Sequence, residues 1–231
     1  MDRVVLSWNV AGLSEASLDE RTEAQCLTLL LSEPSPHVIA LQEVVRRTWY
    51  AHWRPHLAAA GFRVFPADPT ETDSAYFSLL AVRGASAEAV SVPFAPSRMG
   101  RRLVGARWDG WTFLTAHLES ERGGGRARVD QATAIAAHLL ACPGPAVFAG
   151  DTNLRIEEEP RVAGLAELTD AWTATGALPS TRATWRGGRA SARFDRVWVN
   201  AAAQVDSFEL LAAGASLSDH APVRVRLRLP H

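Results

Sequence analysis

Lysine is absent from the 231 residues, and all 24 basic side chains are arginine. That excludes a lysine Schiff base and a P-loop lysine, leaving arginine, histidine, a backbone dipole or a metal ion to meet any phosphate. Cysteine occurs twice, at Cys26 and Cys142, in no CxxC and among apolar neighbours. Neither a zinc site nor a disulfide framework is expected, and both read as buried thiols. No run approaches the roughly 18 apolar residues of a membrane span. The opening MDRVVLSWNV has no charged n-region, apolar h-region or cleavage site, so a cytoplasmic protein without a membrane partner is the expectation. Net charge is nearly absent too, −1 from 24 basic against 25 acidic residues, which offers no whole-protein field for nucleic acid. Abundant arginine and alanine at lysine's expense read as the codon bias of a GC-rich bacterium.

What is present suits a globular core: 47% hydrophobic and 21% charged residues exclude a disordered or collagen-like chain. Short apolar runs bounded by turn residues predict strands at Val4 to Val10, Val38 to Leu41, Phe77 to Val82, Trp111 to Ala116, Ala146 to Ala149, Phe194 to Val199 and Val223 to Leu229. The last alternates as VRVRLRL, so one face is core and Arg224, Arg226 and Arg228 face solvent. Helical periodicity marks Glu20 to Leu31 and Arg126 to Leu140. A third stretch, Thr48 to Ala60, contains Pro55 and is expected to kink or break there. No linker, repeat or composition shift divides the chain, so residues 1–231 read as a single domain, monomeric by default. Many strands with few helices favour packed sheets with helices outside, a mixed α/β or α+β arrangement.

Polar residues of catalytic type follow these apolar runs directly, where a strand delivers a side chain to a sheet rim. Asn9 follows VVLSW, Gln42 and Glu43 follow VIAL, and His117 follows WTFLTA. Asp151 and Asn153 follow AVFAG, while Asp219 and His220 close the loop before the last strand. Each alone is as easily a cap or turn residue; their joint placement at five strand ends suggests one site.

The motifs SWN at 7–9, LQE at 41–43, GDTN at 150–153 and SDH at 218–220 resemble, in order and spacing, those of the endonuclease/exonuclease/phosphatase superfamily of metal-dependent phosphoesterases. With AHLES at 116–120, FAGDTNLR at 148–155, PSRM at 96–99, ATW at 183–185 and RFDR at 193–196, the chain is most similar to the catalytic domain of the 5′-tyrosyl-DNA phosphodiesterases. Vertebrate members carry an additional N-terminal ubiquitin-binding module, and the resemblance is to the catalytic domain alone. It implies a four-layer α-β-β-α sandwich of two mixed sheets flanked by helices. The implied activity is a Mg²⁺- or Mn²⁺-dependent phosphodiesterase of DNA repair, acting on a DNA 5′ end or single-stranded DNA terminus.

A site for that chemistry must neutralise the phosphate, orient a water and stabilise the leaving oxygen. Hard oxygen donors without thiolates suit Mg²⁺ or Mn²⁺. The resemblance makes Glu43 the direct metal ligand, with Asn9 and Asp219 near the metal or its waters. Asp151 then orients or deprotonates the attacking water, Asn153 holds that water or the phosphate, and His220 donates to the phosphate while Asp195 fixes its tautomer. His117 and Ser120 are expected to add phosphate donors. Trp185 and Phe194 wall the groove for the strand end, with Arg155 and Tyr76 as further contacts. The chain departs from the family pattern at Ala11, where an acid is usual, at Ile156 after NLR, and at Ala221 after SDH. Those departures remove no candidate catalytic residue but weaken the substrate assignment, and two alternatives stand beside it. One is another phosphoesterase of the superfamily: an abasic-site endonuclease, an exonuclease, or a nucleotide, inositol or phospholipid phosphatase. The other is a non-catalytic phosphate-binding module.

The near-zero net charge hides a partition. Residues 1–97 carry 7 arginines against 11 acids, and residues 98–196 carry 14 against 11. Arg182, Arg186, Arg189, Arg193 and Arg196 crowd the segment around Trp185 and Phe194, with Asp195 alone opposing them, so a basic surface is expected there. His52 and His56 share i,i+4 spacing, yet Pro55 between them makes a structural role the better reading. His37, His138 and His231 have no partner motif. Gly123 to Gly125 read as a flexible loop, Glu157 to Glu159 as a solvated turn, and the remaining tryptophans mostly as core.

Overall fold

Strands covered on both faces read as unbroken apolar runs, because neither side alternates toward water. In the computed structural model, which describes residues 2–72, 74–90, 94 and 97–230, the first half of the chain forms β1 (Arg3–Asn9), α1 (Leu18–Leu30), β2 (Val38–Val45), α2 (Arg46–Thr48), a π-helical turn (Trp49–Trp53), α3 (Arg54–Ala59), β3 (Arg63–Phe65), β4 (Tyr76–Val82) and β5 (Glu88–Val90). The second half adds β6 (Val104–Trp108), β7 (Trp111–Thr115), α4 (Gly125–Ala141), β8 (Ala146–Asp151), β9 (Thr169–Asp170), α5 (Ala171–Ala174), β10 (Trp185–Gly187), β11 (Ala190–Ala192), β12 (Asp195–Val199), β13 (Gln204–Leu210) and β14 (Val223–Arg228). Pro96 of the PSRM motif and His231 lie outside the described residues.

Two six-stranded mixed sheets result, ordered β13-β14-β1-β2-β4-β3 and β5-β6-β7-β8-β12-β9, with β10 and β11 as a separate hairpin. Val5, Val38, Leu80 and Val225 of the first sheet meet Phe113, Val147, Ala149 and Val197 of the second in one core. The opposite face of the first sheet, through Leu6, Trp8 and Leu41, packs on Cys26 and Leu29 of α1 and on Trp49, Trp53 and Leu57. The opposite face of the second, through Leu114, Phe148 and Trp198, packs on Val129, Ala132, Ile135 and Leu139 of α4. These three cores make the expected α-β-β-α sandwich. Each fully buried side chain of this size contributes about 1.5–3 kcal/mol of apolar burial.

Several local expectations change. The stretch around Pro55 does not break: the backbone stays right-handed helical at Thr48, Trp49, Trp53 and Arg54, and a π segment precedes α3, which carries the proline in its first turn. Cys26 is fully buried and its thiol pKa raised by that burial, whereas Cys142 is only half-buried. Glu158 is not in a solvated turn: it is 6% exposed and pairs with fully buried Arg128 at 2.7 Å. Arg122–Gly124 form a 3-10 turn leading into α4. On β14, Val223, Val225 and Leu227 are buried as expected, but Arg224 and Arg228 turn to Glu209 and Asp206 of β13, leaving Arg226 exposed.

Candidate active site

Parallel pairing aligns strand ends. β1 runs parallel to β2 and β7 parallel to β8, while β12 and β14 run antiparallel to β8 and β1. The C-terminal ends of the first four and the starts of the last two therefore share one rim. The rim gathers Asn9, Gln42 and Glu43, His117, Asp151, Asp195, and Asp219 with His220. Two close backbone approaches need glycine: a Cβ at Gly12 would collide with the Glu43 carbonyl, and one at Gly150 with that of Ala116.

Asp151 is the centre. Its Oδ2 accepts from Asn9 Nδ2 at 2.9 Å, a bond joining the two sheets, and lies 3.3 Å from His117 Nε2 and 3.6 Å from His220 Nε2. Its Oδ1 accepts from the Asn153 backbone N–H at 3.0 Å, which holds Asn153 in the left-handed region that asparagine tolerates. The two histidines differ in charge. Arg101 donates to His117 Nδ1 at 3.0 Å, so the ring proton sits on Nε2 toward Asp151, and burial pushes the pKa down to about 3. Burial works against charge on His220 as well, but Asp195, accepting from Nδ1 at 2.8 Å, and Asp151 outweigh it and hold the pKa up to about 10. At neutral pH the site thus pairs a neutral with a cationic imidazole.

Ligand-type atoms of Asp151, Asp195 and His220 lie within 4.8 Å of one another, a spacing a metal ion could span. A protonated His220 has no lone pair to give, so this trio works better as an Asp–His–Asp relay. Glu43 fits a hard cation better. It sits in a bulge where the pairing of β2 with β4 slips between Leu41 and Val44, at φ +58°. Burial raises its pKa against the pull of the Asn9 amide, with Asp151 adding to the rise, so a cation nearby is favourable. Glu43 and Asp219 line one cleft of about 920 Å³, offering oxygen and no thiolate. Asn9 adjoins that pair: Nδ2 donates to Asp151 Oδ2 at 2.9 Å, Oδ1 accepts from the Ala11 N–H at 3.0 Å, and the amide also pulls on the Glu43 carboxylate.

Trp185 and Phe194 meet at 5.3 Å between ring centroids and line a cleft of about 820 Å³ that also includes Arg155. Trp185 Nε1 donates to Asp219 Oδ2 at 2.8 Å, tying that wall to the rim. Tyr76 is not in this cleft. It faces His117 at 6.1 Å, with the Arg101 guanidinium 5.0 Å from its ring, and lines a separate pocket. His117 is not a free phosphate donor as arranged, being buried between Arg101 and Asp151; exposed Ser120 accepts from Arg101 at 3.3 Å, and its own O–H meets only Met99 Sδ at 3.5 Å, so it stays able to donate. The expected five-arginine surface shrinks, because Arg193 pairs with Asp170 at 2.8 Å and Arg196 with Glu159 at 2.5 Å. Arg182, Arg186 and Arg189 remain exposed.

Three contributors escape the strand-end pattern. Arg101 sits in a loop. Thr184 Oγ1 accepts from the Phe194 and Asp195 N–H groups at 3.1 and 3.0 Å and so sets the start of β12. Buried Glu119 accepts from Ser97 Oγ at 2.5 Å and Arg98 N at 2.8 Å, holding the loop that carries Arg101. The Glu of HLES was the visible trace of that last role.

The model of the Endonuclease/Exonuclease/phosphatase family matches residues 6–220. Tyrosyl-DNA phosphodiesterase 2 of Bos taurus is 30% identical over 218 residues, covering 86% of this chain and 57% of that protein. The Homo sapiens protein of the same name is 30% identical over 219 residues, covering 87% and 58%. The chain thus spans somewhat over half the length of these curated relatives. Among solved structures, D. rerio TDP2 complexed with single-strand DNA product superposes with a TM-score of 0.83 at 25% identity, over 98% of this chain and 99% of that one. An endonuclease/exonuclease/phosphatase from Bacteroides vulgatus shares the fold, with a TM-score of 0.75 at 18% identity over the whole of both chains.

Proposed function

The chain belongs to the endonuclease/exonuclease/phosphatase family, and from that premise we propose that it is a divalent-metal-dependent phosphodiesterase acting at DNA 5′ ends, releasing a 5′-phosphate from an attached tyrosine. One observation carries the substrate reading: the groove walled by Trp185 and Phe194 opens on the rim where Trp185 binds Asp219. Stacking on aromatics tolerates any base, and Arg155 with the exposed arginines can track phosphates.

Glu43 and Asp219 would hold Mg²⁺ or Mn²⁺, with Asn9 fixing the neighbouring Asp151. When bound, the cation supplies charge neutralisation at the phosphodiester. Asp151, oriented by Asn9, Asn153 and His117, positions the attacking water. His220, kept cationic by Asp195, donates Nε2–H to a phosphate oxygen as charge builds there. His117 acts through Asp151 rather than on the phosphate. Asn153 has its side-chain amide only 3.4 Å from the Leu118 carbonyl, a weak bond it can exchange for the phosphate or the water. A role in DNA repair, a cytoplasmic setting and a monomeric, bacterial enzyme belong to the same reading; two free thiols and the arginine-for-lysine bias support the setting and source.

The test is release of tyrosine from a 5′-phosphotyrosyl oligonucleotide, leaving the 5′-phosphate on the DNA, across Mg²⁺ and Mn²⁺ concentrations. Metal-dependent turnover is expected, falling by at least about 10³-fold in Glu43→Ala, Asp151→Ala and His220→Ala. Folded protein that releases nothing at any metal concentration overturns the substrate. A kcat/KM panel over abasic DNA, nucleotides, inositol phosphates and phospholipid headgroups then identifies the true one.

A further inference from the structure

Helix α1 spends two side chains on main-chain carbonyls behind the rim. Arg21 donates to Val10 O at 3.2 Å, Leu217 O at 3.3 Å, Ala11 O at 3.0 Å and Ser14 O at 2.6 Å. Gln25, 1% exposed, donates through Nε2 to the same Val10 O at 3.0 Å and the same Leu217 O at 2.8 Å. One shared carbonyl directly follows Asn9, and the other lies two residues before Asp219. A third tie runs between the same loops: Ser218 Oγ donates to Asn9 O at 2.7 Å and accepts from His220 N at 3.1 Å.

These loops belong to strands β1 and β14, which pair only as far as Ser7 with Val223. Beyond that register no strand pairing fixes the distance between Asn9 and Asp219. The guanidinium fork suits such a task, since its donors lie in one rigid plane and reach several acceptors at once. Its four acceptors are neutral, so its charge is not cancelled by a bonded carboxylate. Asp219 is near enough to favour that charge, and Arg21, Asp219 and Glu43 line one cleft.

We propose that Arg21 and Gln25 form a latch that sets the spacing between the end of β1 and the loop before β14, and that Arg21 also places a fixed positive charge beside Asp219. Both are positioning residues, acting through Asn9, Asp219 and His220. The inference rests on the active-site reading above, so its test includes a measurement that needs no substrate.

Hydrogen exchange read by mass spectrometry is compared among wild type, Arg21→Gln, Arg21→Lys and Gln25→Leu, each with its Tm. Segments 10–14 and 214–220 are expected to exchange about 10-fold faster in Arg21→Gln and Gln25→Leu, while α4 keeps its protection. Arg21→Lys keeps the charge but cannot span four carbonyls, and is expected to fall between. On the substrate that wild type turns over, kcat falls about 10- to 100-fold with KM within about threefold. Because a fixed positive charge beside Asp219 repels a second cation, Mn²⁺ is expected to protect segment 214–220 at lower concentration in Arg21→Gln than in Arg21→Lys, and the reverse order overturns the charge placement. Unchanged exchange in the two segments overturns the latch, and so does a rise that includes α4 in step with Tm. If wild type proves inactive on every phosphoester, the functional reading falls while the exchange result still decides the latch. Should Arg21→Gln not fold, Gln25→Leu, which removes two bonds and leaves the guanidinium, decides it.

Discussion

Asp151 Oδ2 faces two imidazoles at 3.3 and 3.6 Å, one neutral and one cationic at pH 7, and what separates them is the partner on the far nitrogen. His117 has a cation there, Arg101, and His220 has an anion, Asp195. Because the folded pKa of His220 is raised from an ordinary 6.5 to about 10, its contribution to stability is fully present below pH 6.5 and is lost as pH rises through about 10. NMR titration of the metal-free protein is expected to show His220 still protonated at pH 8 and His117 neutral down to pH 5. Asp195→Asn removes the anion and brings the His220 transition down toward the ordinary range, with activity lowered by about 10²- to 10⁴-fold through loss of the correct tautomer. A His220 transition that stays put in Asp195→Asn refutes the assignment. Individual site residues were legible in the sequence because strand ends place Asn9, Glu43, Asp151 and His220 at the rim. Their hydrogen-bond state was not: Arg101 reaches His117 across a loop, and no local pattern announces it.

At the level of elements, the long strands and α1 and α4 were visible because both sheets are covered twice, so their strands carry continuous apolar runs. The unannounced strands are short or polar. β13, with sequence QVDSFEL and no fully buried residue, lies at a sheet edge, and β10 and β11 have three residues each. Arg128 shows how such gaps mislead. Glu157 to Glu159 read as a solvated turn, yet the fold carries Glu158 onto α4, where it accepts from Arg128 Nε at 2.9 Å and from the other guanidinium branch at 2.7 Å. Arg128 also donates to the carbonyls of Glu119 and Glu121, fixing the end of the HLES segment. Arg128→Met leaves Glu158 buried without its partner, a loss of about 3–5 kcal/mol expected in urea unfolding at pH 7. Burial disfavours the Glu158 anion, but Arg128 outweighs it and lowers the carboxyl pKa. The pair's contribution is therefore present above the ordinary carboxyl range and lost as pH falls through the depressed value. The gap between wild type and Arg128→Met should narrow in acid; a gap independent of pH between 7 and 3 removes the ion pair as its cause.

Across the whole molecule, charge is arranged by folding rather than by composition. Net charge of −1 averages an acidic first part with a more basic middle, and even the local excess within residues 182–196 is partly illusory. Asp170 and Glu159, distant in sequence from parts of that segment, come to neutralise Arg193 and Arg196. Those two arginines build the wall of the groove. Arg182, Arg186 and Arg189 stay exposed beside Trp185 and can release counterions from a strand. Each phosphate neutralised on single-stranded DNA adds about 0.7 to the slope of log KM against log salt. If Arg186 and Arg189 each hold one phosphate, the Arg186→Ala/Arg189→Ala double variant lowers that slope by about 1.4 while kcat at low salt is preserved. Arg193→Ala is expected to behave in the opposite way, leaving Asp170 with only the more distant Arg196, at 3.8 Å, as a cationic partner and lowering Tm with the salt slope unchanged. Equal slopes for wild type and the double variant mean that the strand leaves the rim by another path, with Arg155 and the aromatic pair its remaining contacts in the groove.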